Sequence, residues 1–235
     1  NTKVGAARFV RALATRATAG IRPHAPPLLK ALTAGVRAER SGVVRKAYAA
    51  AAAQVLRYAA DKRVEKVVAE VVEGYTGVAA AAGSSSGAGG SAAAAASGEG
   101  GGDVDARYAG GLILRELLRA APEVFSNHAP TVLPLAFGAR LDSDKDVAGV
   151  WREVWEEGCA SEAGAVRLYA QEICAGLVAG LGSGQWGRKA AAAQAVTALT
   201  QLGQGVLGPR AADHAAGLAS ALLGEAGVGR LWEGK

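Results

Sequence analysis

Four carboxylates stand closest to a recognisable chemical pattern in this chain. Asp142-Ser143-Asp144-Lys145-Asp146, followed by Glu153, places acids at positions 1, 3, 5 and 12 of a calcium-binding loop. The pattern breaks at position 6, where Val147 replaces the glycine that the sharp turn needs. An acidic loop between helices that also caps the next one is the better reading, since carboxylates favour a helix N-terminus. The three histidines, His24, His128 and His214, are far apart in sequence. They show neither metal-ligand spacing nor a nucleophile–base pairing, so surface or helix-capping roles are expected. Cys159 and Cys174 lack CxxC spacing. Two cysteines make no disulfide framework, and a reduced, intracellular chain is the expectation. Gly182, Gly184 and Gly187 precede Arg188-Lys189, yet no GxxxxGK[ST] motif and no leading strand accompany them, which excludes a phosphate loop. No residue qualifies as catalytic, cofactor-binding or metal-ligating, and no cofactor or enzymatic activity is expected. Which residues bind a partner is not readable at this level.

Trp151 and Trp155 are four residues apart and so share one face of a helix. Flanked by Val147, Val150 and Val154, they are expected to be buried between adjacent structural units. The alternative is a partner anchor, a role exposed tryptophans favour.

The net charge is +5, with 26 Lys and Arg against 21 Asp and Glu, and the isoelectric point is near 9.4. Such a balance suits a nucleic acid or an anionic surface. The basic residues nevertheless read as scattered, with no Lys/Arg run interleaved with aromatics, so solvated helix faces are expected and nucleic-acid binding is not. Half of the residues are hydrophobic, but only 5% are aromatic. Much of the remainder is alanine, the best helix former, which allows close helix approach. No apolar stretch reaches the ~18–20 residues of a membrane span, and the N-terminus lacks a signal-peptide pattern. The chain holds no methionine and reads as a piece of a longer protein.

The elements that must position these residues recur. Lys3, Lys46 and Lys189 each open a similar helical stretch, the first two 43 residues apart. A period of roughly 40–47 residues built from helix pairs characterises HEAT and armadillo arrays. The expected fold is all-α, an α-solenoid of about five HEAT-like helix pairs, at about 2–38, 41–77, 104–138, 146–182 and 186–224. Ala6, Phe9, Val10 and Leu13 predict the buried face of the first helix. Pro23, Pro26 and Pro27 mark the following turn, and Ser41 is a candidate cap for the second pair. Residues 79–102 hold ten Ala, eight Gly, five Ser and one Glu. They predict a flexible insertion between repeats at 1–78 and repeats at 103–235 that continue the same solenoid.

Several segments resemble a known family, the HEAT-repeat proteasome adaptor and scaffold proteins (the Ecm-type proteasome component). They are Thr2-Lys3-Val4-Gly5, Ser41-Gly42-Val43-Val44-Arg45-Lys46 with Tyr48-Ala49, and Val64-Glu65-Lys66. More specific are Asn127-His128-Ala129 running into Val132-Leu133-Pro134-Leu135-Ala136-Phe137, and Val150-Trp151-Arg152-Glu153-Val154-Trp155-Glu156-Glu157. Gly164 with Arg167-Leu168-Tyr169, Gln185-Trp186 with Lys189, and Arg230 with Trp232, Gly234 and Lys235 continue the likeness. The resemblance implies a non-catalytic scaffold that holds the proteasome core and regulatory particles together and takes part in assembly quality control. It also implies links to vesicle or motor adaptors through other parts of the protein, and a cytoplasmic and nuclear location with peripheral attachment to endomembranes. A HEAT transport receptor or another adaptor unrelated to the proteasome is the alternative.

Overall fold

In the computed structural model, residues 2–77, 104–203 and 205–226 are described; the insertion at 79–102 and the segment from Arg230 to Lys235 lie outside them. The described residues are helical throughout, without a strand. The first unit comprises α1 (Thr2–Arg16), a short α2 (Thr18–Ile21), a 3-10 turn at Arg22–His24 and α3 (Ala25–Ala38). The second is α4 (Gly42–Arg57) and α5 (Asp61–Thr76), and the third α6 (Val104–Ala120) and α7 (Pro122–Ala139). In the fourth, α8 (Lys145–Gly158) is followed by a helix broken at Tyr169 into α9 (Glu162–Leu168) and α10 (Ala170–Leu181). The fifth is α11 (Trp186–Gln201), a 3-10 turn at Gly208–Arg210 and α12 (Ala211–Ala226).

Where no insertion intervenes, successive units begin 40–41 residues apart, not 43: α1 and α4 at Thr2 and Gly42, α8 and α11 at Lys145 and Trp186. Lys3 and Lys46 therefore lie at different depths in their helices. A helix shows the same face every 3.6 residues, so a matching apolar pattern recurs one turn late.

The first helices α1, α4, α6 and α8 pack side by side, and α5, α7, α10 and α12 form a second layer. Each second helix also leans on the first helix of the next unit, as α3 does on α4 and α7 on α8. One apolar core runs from Ala7 to Leu218, the continuous burial on which stacked repeats depend. At its centre, α6 is buried on nearly every side and touches α3, α4, α5, α7 and α8. Gly110 and Gly111 make this crowding feasible. A Cβ on Gly110 would lie 2.8 Å from Val71, and one on Gly111 would lie 2.7 Å from Val150 and 2.9 Å from the Trp151 indole nitrogen.

Two expectations for individual elements are corrected. The buried stripe of α1 is Val4, Ala7 and Ala14, while Ala6, Phe9 and Leu13 are exposed and Val10 is half-buried. Alanines let α1 settle closely on α4, and the bulkier Phe9–Leu13 stripe turns away from the described core. Ser41 occupies the cap position of α4 but makes no side-chain capping bond. The apolar stripes of α3, α5 and α8 are buried largely as the spacing predicts.

Candidate interaction surfaces

The carboxylates of the calcium-like pattern diverge. Asp144 caps α8, accepting from the amides of Asp146 and Val147 at 3.0 Å each. Asp142 turns inward to Arg107, 3.1 Å away, and accepts a hydrogen bond from the Tyr75 hydroxyl at 3.1 Å. Glu153 points to Arg115 and Arg119 on α6 at 3.0 and 2.9 Å. The acidic loop thus caps a helix and pairs with cations. Among the described residues, no three His, Cys, Asp or Glu side chains gather where they could hold a metal ion. His24 sits at the cap position of α3 without a capping bond, and His128 and His214 lie within α7 and α12. Burial raises the thiol pKa of both Cys159 and Cys174, and the Cys159 thiol donates to the Trp155 carbonyl at 2.8 Å.

Trp151 and Trp155 join units, and neither is exposed. The Trp151 indole N–H donates to the Arg107 carbonyl at 3.0 Å, and its ring meets Tyr75 edge to face at 5.4 Å. Trp155 meets Phe137 likewise at 5.2 Å, and the Arg140 guanidinium stacks over both rings. Around Trp151 a polar junction ties α5, α6, α8 and α11 together. Arg188 of α11 donates to the Thr76 carbonyl at the end of α5. Burial, then the Asp142 charge and hydrogen bond, pushes the Tyr75 hydroxyl far above its usual pKa, so it remains a neutral donor. Desolvation pulls the Arg188 guanidinium below its ordinary value.

Beside this junction a cavity of roughly 350 Å³ opens between α5, α7, α10 and α11. Pro130, Pro134, Leu135 and Leu177 supply its apolar wall, with Glu172 and Arg188 as its charges. Proline carries no amide proton, so the carbonyls of Ser126 and Pro130 lose their helical donors on that face of α7. Tyr75, at the edge of the cavity, is committed to Asp142.

A second recess, of roughly 700 Å³, lies where the turn before α3 meets the turn between α4 and α5. It gathers Arg22, Lys62, Arg63 and Lys66. Their apparent scatter in the sequence is therefore misleading. Residues 1–77 carry 14 Lys and Arg against 5 Asp and Glu, whereas residues 104–235 carry 12 against 14. Counting charge by segment is the signal that would have found the patch.

Among proteins of known sequence, residues 1–76 match the family model of the HEAT-repeat domain of the proteasome adapter and scaffold protein ECM29. The whole chain is 27% identical, over 240 aligned residues, to the human "Proteasome adapter and scaffold protein ECM29", and it spans 11% of that protein. A 63-residue stretch, 27% of the chain, is 38% identical to the "Proteasome component ECM29" of Saccharomyces cerevisiae, of which it covers 3%. No solved structure matches. Stacked helix pairs, a matching HEAT-repeat model over the first two of them and similarity along the full chain agree: this all-α chain is similar to the ECM29 proteasome adapter and scaffold proteins.

Proposed function

We propose that the chain is a non-catalytic segment of a proteasome adaptor and scaffold, binding subunits of the core and regulatory particles and helping to hold the two together. A role in quality control during proteasome assembly, and a cytoplasmic and nuclear location with peripheral attachment to endomembranes, belong to the same proposal. The observation that carries it is the similarity of the entire chain to a human protein named as a proteasome adapter and scaffold. The architecture supports it: stacked helix pairs offer long surfaces for protein contact, and the cavities described above bring together no catalytic constellation. No described helix is long and apolar enough to cross a membrane.

Affinity purification of the full-length protein carrying this segment, followed by quantitative mass spectrometry, tests the assignment. Proteasome subunits are expected in stoichiometric amounts, with crosslinks reaching residues of this segment. Recovery of transport cargo without proteasome subunits would favour the transport-receptor reading and overturn this one.

A further inference from the structure

We infer that the basic recess between the first two units is a docking site for an Asp/Glu-rich segment of a partner protein. The inference stands apart from the proteasome assignment, because it needs only the recess and its charge. Arg22 approaches from the 3-10 turn before α3, whereas Lys62, Arg63 and Lys66 approach from the first turns of α5. None of these four cations forms an ion pair among the described residues. Other cations among the described residues divide: Arg45, Arg57, Arg107, Arg115, Arg119 and Arg140 are matched to carboxylates, whereas Arg8, Arg11 and Lys46, beside Glu116 and Glu153 in another groove, are not. Asp61 and Glu65 lie nearby on α5, but neither lines the recess or pairs with its cations.

Four like charges around one concavity repel one another unless an anion enters. The local field favours a carboxylate-bearing guest. At the start of α5, Ala60 offers no side-chain acceptor to the first amides, and Asp61 in the first turn offsets part of the helix field.

Shape and surroundings choose the guest. Arg22, Lys62 and Lys66 are exposed at the rim of the recess and Arg63 is half-buried, and no large apolar side chain is exposed on its lining to insert into a bilayer. A nucleic acid would need bases to stack or a basic track to follow. The one aromatic in the recess, Tyr58, is half-buried with the Arg57 guanidinium over its ring at 5.7 Å. Beyond the recess Arg57 is neutralised by Glu123 at the start of α7 and Arg119 by Glu157 at the end of α8, so no continuous basic track among the described residues leads away from it. A short acidic chain segment fits the recess, since these four unpaired cations are confined to it and a long polyanion would find no basic track to follow.

Fluorescence anisotropy with a fluorescein-labelled oligoglutamate peptide and the 235-residue chain tests the inference. Replacing Lys62 and Lys66 together by Ala is expected to weaken binding by roughly tenfold or more, and Arg22→Ala, from the opposite wall, to weaken it as well. The paired control Lys145→Ala with Arg152→Ala removes the same charge from α8, away from the recess, and is expected to change affinity less than about twofold. Circular dichroism confirms that each variant keeps its helices; the mutated lysines are exposed and outside the core. Equal losses in the control and recess variants would show general electrostatics and overturn the inference, as would unchanged binding in the recess variants. Tighter competition by single-stranded oligonucleotide, or by phosphatidylserine vesicles, would reassign the recess to that ligand.

Discussion

Trp151→Ala removes the side chain through which α8 meets α5 and α6, and its cost can be worked from the structure. The residue is fully buried, and truncating a buried tryptophan costs about 3–5 kcal/mol. The substitution also leaves the Arg107 carbonyl without its 3.0 Å donor and abolishes the edge-to-face contact with Tyr75 at 5.4 Å. The former is worth about 1 kcal/mol and the latter about 0.5–1.5 kcal/mol. These contributions overlap with the truncation cost because the same atoms make them, so a loss of about 4–5 kcal/mol is expected, near the top of the range for buried tryptophan. In a stack of repeats the damage concentrates on neighbours. Hydrogen exchange read by mass spectrometry should therefore show protection falling first in α5, α6 and α8, with α1 and α12 changing least. Trp151→Phe keeps most of the apolar area but loses the N–H, and should cost about 1–2 kcal/mol. Urea denaturation supplies the overall loss. A Trp151→Ala protein within about 1 kcal/mol of the parent, or one losing protection evenly along the chain, would refute the reasoning. A variant of unchanged stability that no longer binds proteasomes would make Trp151 a partner anchor instead.

Gly111→Ala adds a methyl group 2.7 Å from Val150 and 2.9 Å from the Trp151 nitrogen; overpacking of about 1–3 kcal/mol should exceed the gain in helix propensity, and thermal denaturation should show a lower Tm. Asp142→Ala removes the buried carboxylate that pairs with the Arg107 guanidinium and accepts from the Tyr75 hydroxyl, with an expected loss of about 3–5 kcal/mol by urea denaturation. Its hydrogen bond to Arg119 holds the Glu157 carboxyl below its ordinary value near 4.5. Its stabilising contribution is present above that ordinary value and is lost as pH falls through the lower folded value. Acid titration of Glu157→Gln should show a slightly shallower loss of stability below about pH 4.5 than the parent, the effect being small because solvent screens this exposed pair. Replacing 79–102 with a short Gly/Ser loop should leave the Tm nearly unchanged by differential scanning fluorimetry, since its composition provides little apolar area to offset an ordering cost of about 1–2 kcal/mol per residue.

The all-α class, the helix-pair repeat and the joining role of the two tryptophans were legible in the residues. Helix periodicity and alanine content act locally, and Val147, Trp151 and Val154 fall on one stripe whatever surrounds them. Likewise, the broken glycine position at Val147 was enough to read the acidic loop as one that caps the next helix, while the structure shows that Asp144 is the capping residue. Two features needed the fold. On α1, spacing showed an apolar stripe through Phe9 and Leu13 but not which stripe meets α4; the alanine face won because it permits the closer approach. The segment charge excess was present in the sequence, but its convergence into one recess was not. Arg22 and Lys62 become neighbours only when successive turns stack at one edge, and Arg188 reaches the Thr76 carbonyl across 112 residues of chain. Local propensities determine each helix, while surfaces that can hold a partner arise from the packing between helices, where residues distant in sequence share one electrostatic field.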